Sequence, residues 1–192
     1  MNTVTDETRR FLRSIPSLSG AAPELNPQDL PDDPAAAFLQ WLQAGIGAGV
    51  PEPHVMTLST VDSDGVPDAR TLVLKDVDQR GWAFASTKSS RKGSQLAHRS
   101  AAALSCWWQP QMRAVRIRGE VIEATPEESL KDLHARSPVA QASVDPEDWT
   151  LWWVQPERVE FWQGSTDRRH QRIIYTRDQQ DWTREVHRTE AS

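Results

Sequence analysis

From residue 54 to residue 187 the chain is a succession of short runs in which apolar and polar residues alternate, separated by turn-forming residues, and this rhythm leaves few folds open. HVMTLSTV (54–61) and ARTLVLKDV (69–77) flank Asp62-Ser63-Asp64-Gly65, a strong hairpin signal. GWAFAS (81–86) reads as a third strand. AALSCWW (102–108) and MRAVRIRGEVIEA (112–124) read as a second hairpin turned at Gln109-Pro110-Gln111. Within 112–124, Val115, Ile117 and Val121 share one face and Arg116, Arg118 and Glu120 the other. RVEFWQ (158–163), RIIYTR (172–177) and DWTREVH (181–187) complete the set. Helices are few. Asp33 and Pro34 start one in which Phe38, Leu42 and Ile46 recur every four residues before Gly47 and Gly49 end it. A second runs from about Ser89 to His98. A third starts at the capping box Thr125-Pro126-Glu127-Glu128 and ends near Ser137-Pro138. The expected fold class is mainly β with a few helices, closed as a barrel rather than spread as a doubly wound sheet.

The 192 residues suit one domain, residues 31–192, preceded by a flexible N-terminal arm over 1–30 in which Ser, Pro, Gly and Asn dominate. Lys and Arg number 22 against 27 Asp and Glu, a net charge of −5, which argues against a nucleic-acid partner while leaving room for a local phosphate site. The single cysteine, Cys106, and the absence of any Cys/His ligand spacing predict no metal. No leader-like or membrane-length apolar segment is present, so a cytoplasmic protein is expected, without a membrane partner. Nine Trp against one Tyr is unusual; core and interface packing accounts for most, and some are candidates to border a flat aromatic ligand.

Three constellations carry candidate chemistry. Arg70-Thr71-Leu72-Val73-Leu74-Lys75 places a cation at each end of an apolar strand, which alone is most often two solvated edge charges. Ser86-Thr87-Lys88-Ser89-Ser90-Arg91-Lys92 sits between a strand and a helix start. Basic residues in a helix's first turn oppose the helix dipole, and a phosphate cradled there would explain them. Glu160-Phe161-Trp162-Gln163-Gly164 is followed by Arg168-Arg169-His170-Gln171-Arg172. A strand resuming by Arg168 would put Arg168, His170 and Arg172 on one face, either around an anion or as a basic edge that blocks aggregation.

Taken in order along the chain, RTLVLKDVDQRGWAFAS, SSRKGSQLA, VEFWQG and RRHQRIIYTR resemble the pyridoxine/pyridoxamine 5′-phosphate oxidases, over about Asp33 to Trp182. The resemblance implies a split β-barrel homodimer with FMN at the subunit interface. It implies an oxidase that passes hydride from a small-molecule substrate to flavin N5, with oxygen reoxidising the flavin. By position, Arg70, Thr71, Leu72, Val73, Leu74 and Lys75 match the FMN-binding strand. Ala85 and Ser86 match a backbone contact pair, Arg91 and Lys92 the grip on the FMN phosphate, and Trp162 and Arg172 later FMN contacts. Arg168 and His170 match the catalytic pair over the substrate; Lys75 and Arg136 match groups near the substrate phosphate. The departures are Asp132 and Ala140, where the family has a phosphate-binding tyrosine and serine, Ala114 in place of a flavin-contacting glutamine, and a shortened segment after residue 140. These open three further readings: a relative acting on another substrate such as a secondary-metabolite intermediate, a flavin-binding module without turnover, and a relative using a deazaflavin.

Overall fold

The computed structural model describes residues 5–189; the first four residues of the expected arm and the last three of the expected domain lie outside them. The helices are α1 (Asp6–Ser14), α2 (Pro34–Gly47), α3 (Arg91–His98), α4 (Pro126–His134) and α5 (Pro138–Ala142). The strands are β1 (Val55–Val61), β2 (Pro67–Val73), β3 (Asp76–Asp78), β4 (Gly81–Thr87), β5 (Ala101–Trp108), β6 (Arg113–Glu123), β7 (Trp149–Gln163), β8 (Gln171–Asp178) and β9 (Asp181–Arg188). All pair antiparallel in the order β2-β1-β5-β6-β7-β4-β3, with β8 and β9 continuing from the far half of β7. The mainly-β architecture expected from the alternating runs is therefore present.

The sheet curls into a barrel at one place. ARTLVLKDV is not a single strand: it breaks after Val73, because the Leu74 N–H donates to His54 O (3.0 Å) on one edge and the Lys75 N–H to Ala83 O (2.9 Å) on the other. Period-2 alternation continues across this break, so the sequence pattern alone does not reveal it. The missed half of a strand has a similar origin. Residues 149–157 extend β7 to fifteen residues, but TLWWVQP is buried on both faces and shows no alternation. One face lines the barrel and the other lies under α4, where Leu151, Trp153 and Ala83 form a separate small cluster. A register shift at Arg118/Gly119 lets β7 bend. A Cβ at Gly119 would collide with the carbonyl of Gln155, so only glycine allows that close approach.

Helix α2 starts as expected, with the Asp33 carboxylate accepting from the N–H groups of Ala35 (3.3 Å) and Ala36 (3.2 Å). Its apolar stripe closes one end of the barrel. Phe38 packs edge-on to Trp82 (5.7 Å, 79°) and against Trp108, and Trp41 packs edge-on to Phe161 (5.1 Å), which continues to Tyr175. The third expected helix ends at His134, earlier than Ser137, and the chain restarts as the short α5 at Pro138. Within the span expected as an arm, α1 buries no residue, whereas residues 21–31 are tied to the barrel. The Ala21 N–H donates to Pro110 O (2.8 Å), Tyr175 Oη to Pro31 O (2.8 Å) and Arg184 Nη1 to Leu30 O (2.7 Å). No helix among the described residues is long and apolar enough to cross a membrane.

Phe38 is fully buried at the centre of the aromatic plug. Phe38→Ala is expected to cost about 3–5 kcal/mol of stability, read as a lower midpoint in urea unfolding. A change below about 1 kcal/mol would show that α2 does not seal the core.

Candidate functional site

The sheet presents three groups of charged and aromatic side chains. The first forms where β2 meets the start of α3. Asp68, Arg70 and Leu72 turn inward on β2 while Ala69, Thr71 and Val73 turn outward and are exposed. Arg70 donates to Thr60 Oγ1 and to Gln95 Oε1 (2.8 Å), two buried polar groups that also bond each other (2.6 Å). Arg91 and Lys92 enter from the first turn of α3, whose N-cap Ser90 accepts from the Gly93 N–H (3.2 Å) and lies 3.4 Å from the Ser86 hydroxyl. One carboxylate, Asp68, serves this group: it pairs with Arg70 (3.1 Å) and Arg91 (2.9 Å). Burial pushes the Lys92 ammonium's pKa down and the neighbouring charge of Arg70 pushes it further; no acid among the described residues offsets this. Three cations against one carboxylate, at a helix N-terminus with a hydroxyl beside it, fit a phosphate.

The rest of the expected Ser86–Lys92 cradle is otherwise engaged. Lys88 pairs with Glu123 (2.6 Å), and the Ser89 N–H donates to Asp148 Oδ1 (2.8 Å), tying the loop to the start of β7. Ala85 turns outward toward the small cluster beneath α4.

The second group lies beyond the break in β2–β3. Lys75 is within 3.9 Å of Asp132 on α4, Asp132 accepts from Trp149 Nε1 (3.0 Å), and Arg136 stacks over the Trp149 ring (4.3 Å) while donating to Ala140 O (3.4 Å). The residues matched by position to a substrate-phosphate pocket, Lys75, Asp132, Arg136 and Ala140, thus come together. Trp149 is an added member that no local sequence signal marked.

The third group is on the outer face of β5–β8. Trp162 packs against His170 (4.9 Å) and Trp107 (5.8 Å), and Trp107 remains 48% exposed. A hollow of about 460 Å³ on the same face is lined by Thr57, Thr71, Ser105, Trp107, Ala114 and Arg116. The strand does not resume by Arg168. Residues 164–170 form a turn in which Arg168 has a left-handed backbone (φ 65°), and β8 begins only at Gln171. Arg168, His170 and Arg172 therefore do not share a strand face, because the Asp167 carboxylate organises the turn by accepting from Ser165 Oγ and the Arg169 N–H. His170 Nδ1 accepts from the Ser165 N–H (3.1 Å), which assigns the proton of the neutral ring to Nε2. Arg172 pairs with Glu160 (2.9 Å), which Arg116 and Arg158 share. Burial alone would push the Glu160 carboxyl up; the hydrogen bond from Arg116 and the charges of the three arginines outweigh it and hold the group below the usual carboxylate range.

One chain does not close these groups around a single ligand. Arg70 faces inward on β2, while Trp162 faces outward on β7, four strands along the sheet.

Comparison with known proteins bears on the fold and the family. The family model described as "Pyridoxamine 5'-phosphate oxidase" matches residues 42–163, and that of the "Pyridoxine 5'-phosphate oxidase C-terminal dimerisation region" matches residues 149–186. A pyridoxine/pyridoxamine 5′-phosphate oxidase of Pseudomonas fluorescens is 37% identical over 84% of this chain and 91% of its own. One from Thermosynechococcus vestitus is 36% identical over 81% and 89%. Among solved structures, PhzG from Burkholderia lata 383, in complex with tetrahydrophenazine-1-carboxylic acid, superposes with a TM-score of 0.81 at 25% identity, covering 88% of this chain and all (100%) of that one. A pyridoxamine 5′-phosphate oxidase-related, FMN binding protein from Nostoc punctiforme shares the fold at a TM-score of 0.58 and 18% identity over 85% of this chain and 97% of its own. The chain has the split-barrel fold, carries the C-terminal dimerisation region, and belongs to the pyridoxamine 5′-phosphate oxidase family.

Proposed function

We propose that the protein is an FMN-dependent oxidase working as a homodimer. The observation that carries this reading is the excess of positive charge at the β2–α3 junction, where Arg70 and Arg91 share one carboxylate and half-buried Lys92 has no acid partner among the described residues. A flavin phosphate there would accept from Arg70, Arg91, Lys92 and the first-turn N–H groups of α3. FMN held there would supply a hydride acceptor and a route for the electrons to oxygen. The polypeptide binds, orients and excludes water. Trp162 offers a ring face, Arg172 a guanidinium held by Glu160, and His170 a proton at Nε2 whose position is set by the Ser165 N–H. Arg168, exposed at the turn, and His170 are the groups proposed to orient substrate.

Reversing both cations, Arg91→Glu with Lys92→Glu, is expected to abolish FMN binding in a flavin-fluorescence titration. An unchanged titration would remove the cradle assignment. Arg91 is the more exposed of the two, so Lys92→Glu alone is expected to produce most of the loss.

Within one chain Trp162 lies on the opposite face of the sheet from Arg70, and a two-fold dimer would let each copy complete the other's site. Light scattering of the flavin-loaded protein at micromolar concentration is expected to give the mass of two chains. A monomer mass with flavin bound would contradict the shared site.

A second reading of the substrate rests on Asp132. Lys75 and Arg136 bring two positive charges and Asp132 removes one, so the pocket suits a singly charged anion, such as a carboxylate on a flat ring, better than a phosphate dianion. The carboxylated ligand of the PhzG structure belongs to the same chemical class. Hydrogen peroxide release with pyridoxamine 5′-phosphate is expected to be slow in the wild type. Asp132→Asn, which keeps an acceptor for Trp149 Nε1, is expected to lower KM for that substrate about tenfold, since a charge-assisted hydrogen bond contributes about 1.5–3 kcal/mol. Efficient wild-type turnover, or an unchanged KM in the variant, would defeat this second reading.

A further inference from the structure

Among the described residues, Asp68 is the one group in the cradle with the charge of the expected ligand. It projects inward from β2 two residues before Arg70, so both side chains reach the start of α3 from the same face. Its Oδ2 lies 3.1 Å from Arg70 Nη2 and 2.9 Å from Arg91 Nε and accepts from Gln95 Nε2 at 3.4 Å, while its Oδ1 accepts from the Ala69 N–H at 2.9 Å. The carboxylate therefore engages two of the three cations that a phosphate would use. Among the described residues, no acid pairs with Lys92.

We propose that Asp68 is a built-in counter-anion of the phosphate cradle, which occupies Arg70 and Arg91 in the flavin-free protein and must yield them when FMN binds. This inference rests on the FMN reading above. Guanidinium donors do not distinguish a carboxylate oxygen from a phosphate oxygen, since both accept charge-assisted hydrogen bonds of the same kind. A phosphate arriving at Arg70 and Arg91 meets Asp68 already there, and two anions at ion-pair distance from the same cations repel. Without a ligand, the carboxylate keeps three cations from facing one another uncompensated. Asp68 thus stabilises the empty site and weakens the filled one. Burial alone would push its carboxyl up, but the Gln95 and Ala69 donors and the charges of Arg70 and Arg91 hold it below the usual range, so it stays ionised and competing.

A different role for the same contacts predicts the opposite result. If Asp68 only braces Arg70 and Arg91 in position for the phosphate, its removal weakens FMN binding. The sign of the change therefore decides between the two roles. The experiment titrates the full-length apoprotein and its Asp68→Asn and Asp68→Ser variants with FMN and, separately, with riboflavin, which lacks the phosphate, following flavin fluorescence. FMN is expected to bind roughly tenfold more tightly to both variants, about 1.4 kcal/mol, with riboflavin affinity unchanged. FMN binding that is unchanged or weaker in both variants overturns the counter-anion role while leaving the FMN reading intact. An equal gain for FMN and riboflavin also overturns it, because the effect would then not pass through the phosphate. A wild-type protein that takes up no FMN, with variants that take up none, overturns the FMN reading and this role together.

Discussion

The barrel closes because one two-residue segment hydrogen-bonds to both edges of the sheet. Leu74 and Lys75 carry the chain from β2, paired to β1, to β3, paired to β4, and their two N–H groups span the seam. Leu74 is buried and anchors the crossing, whereas Lys75 emerges toward α4. The positions of the charged groups follow from this. Arg70, before the crossing, meets α3 at one end of the barrel; Lys75, five residues later in the chain, meets Asp132. A continuous strand through 69–77 would have placed both cations along one edge and built neither group.

Leu74 of that crossing packs into an aromatic interior. Phe38 and Trp41 of α2 plug the barrel against Trp82, Trp108, Phe161 and Tyr175, and residues 21–31 are hydrogen-bonded across the outside of the plug. Large rings of this kind bury much apolar area with few rotatable bonds, so they hold strand ends in place at low entropic cost. Ligand-binding side chains mounted on such strands are better positioned than those on free loops.

A repeated electrostatic device accompanies this scaffold. In a chain with net charge −5, three groups of cations each carry one carboxylate: Asp68 for Arg70 and Arg91, Asp132 beside Lys75 and across Trp149 from Arg136, and Glu160 among Arg116, Arg158 and Arg172. Each acid satisfies part of the positive charge of its group and leaves a surplus.

Much of this was legible from sequence because it is local. Strand alternation, the Asp33 and Thr125 caps and the hairpin turns depend on neighbours a few residues apart, and the start of α3 stood out because Arg91 and Lys92 oppose the dipole of their own helix. The segments that misled were those whose environment is set from outside. TLWWVQP lost its alternation because α4 covers the second face of β7. The run from Arg168 to Arg172 kept the look of a strand although the Asp167 carboxylate folds its first half into a turn. Asp68, Trp149 and Trp107 carried no local mark, since an acid two residues from an arginine or a tryptophan in a strand has many ordinary explanations. The sequence by itself determined the class of fold, the family and the side chains available for a phosphate. Only the tertiary structure decided that Asp68 pairs with both Arg70 and Arg91 and that Trp162 lies on the opposite face, because strand order and barrel closure bring together residues whose separation along the chain carries no record of their distance in space.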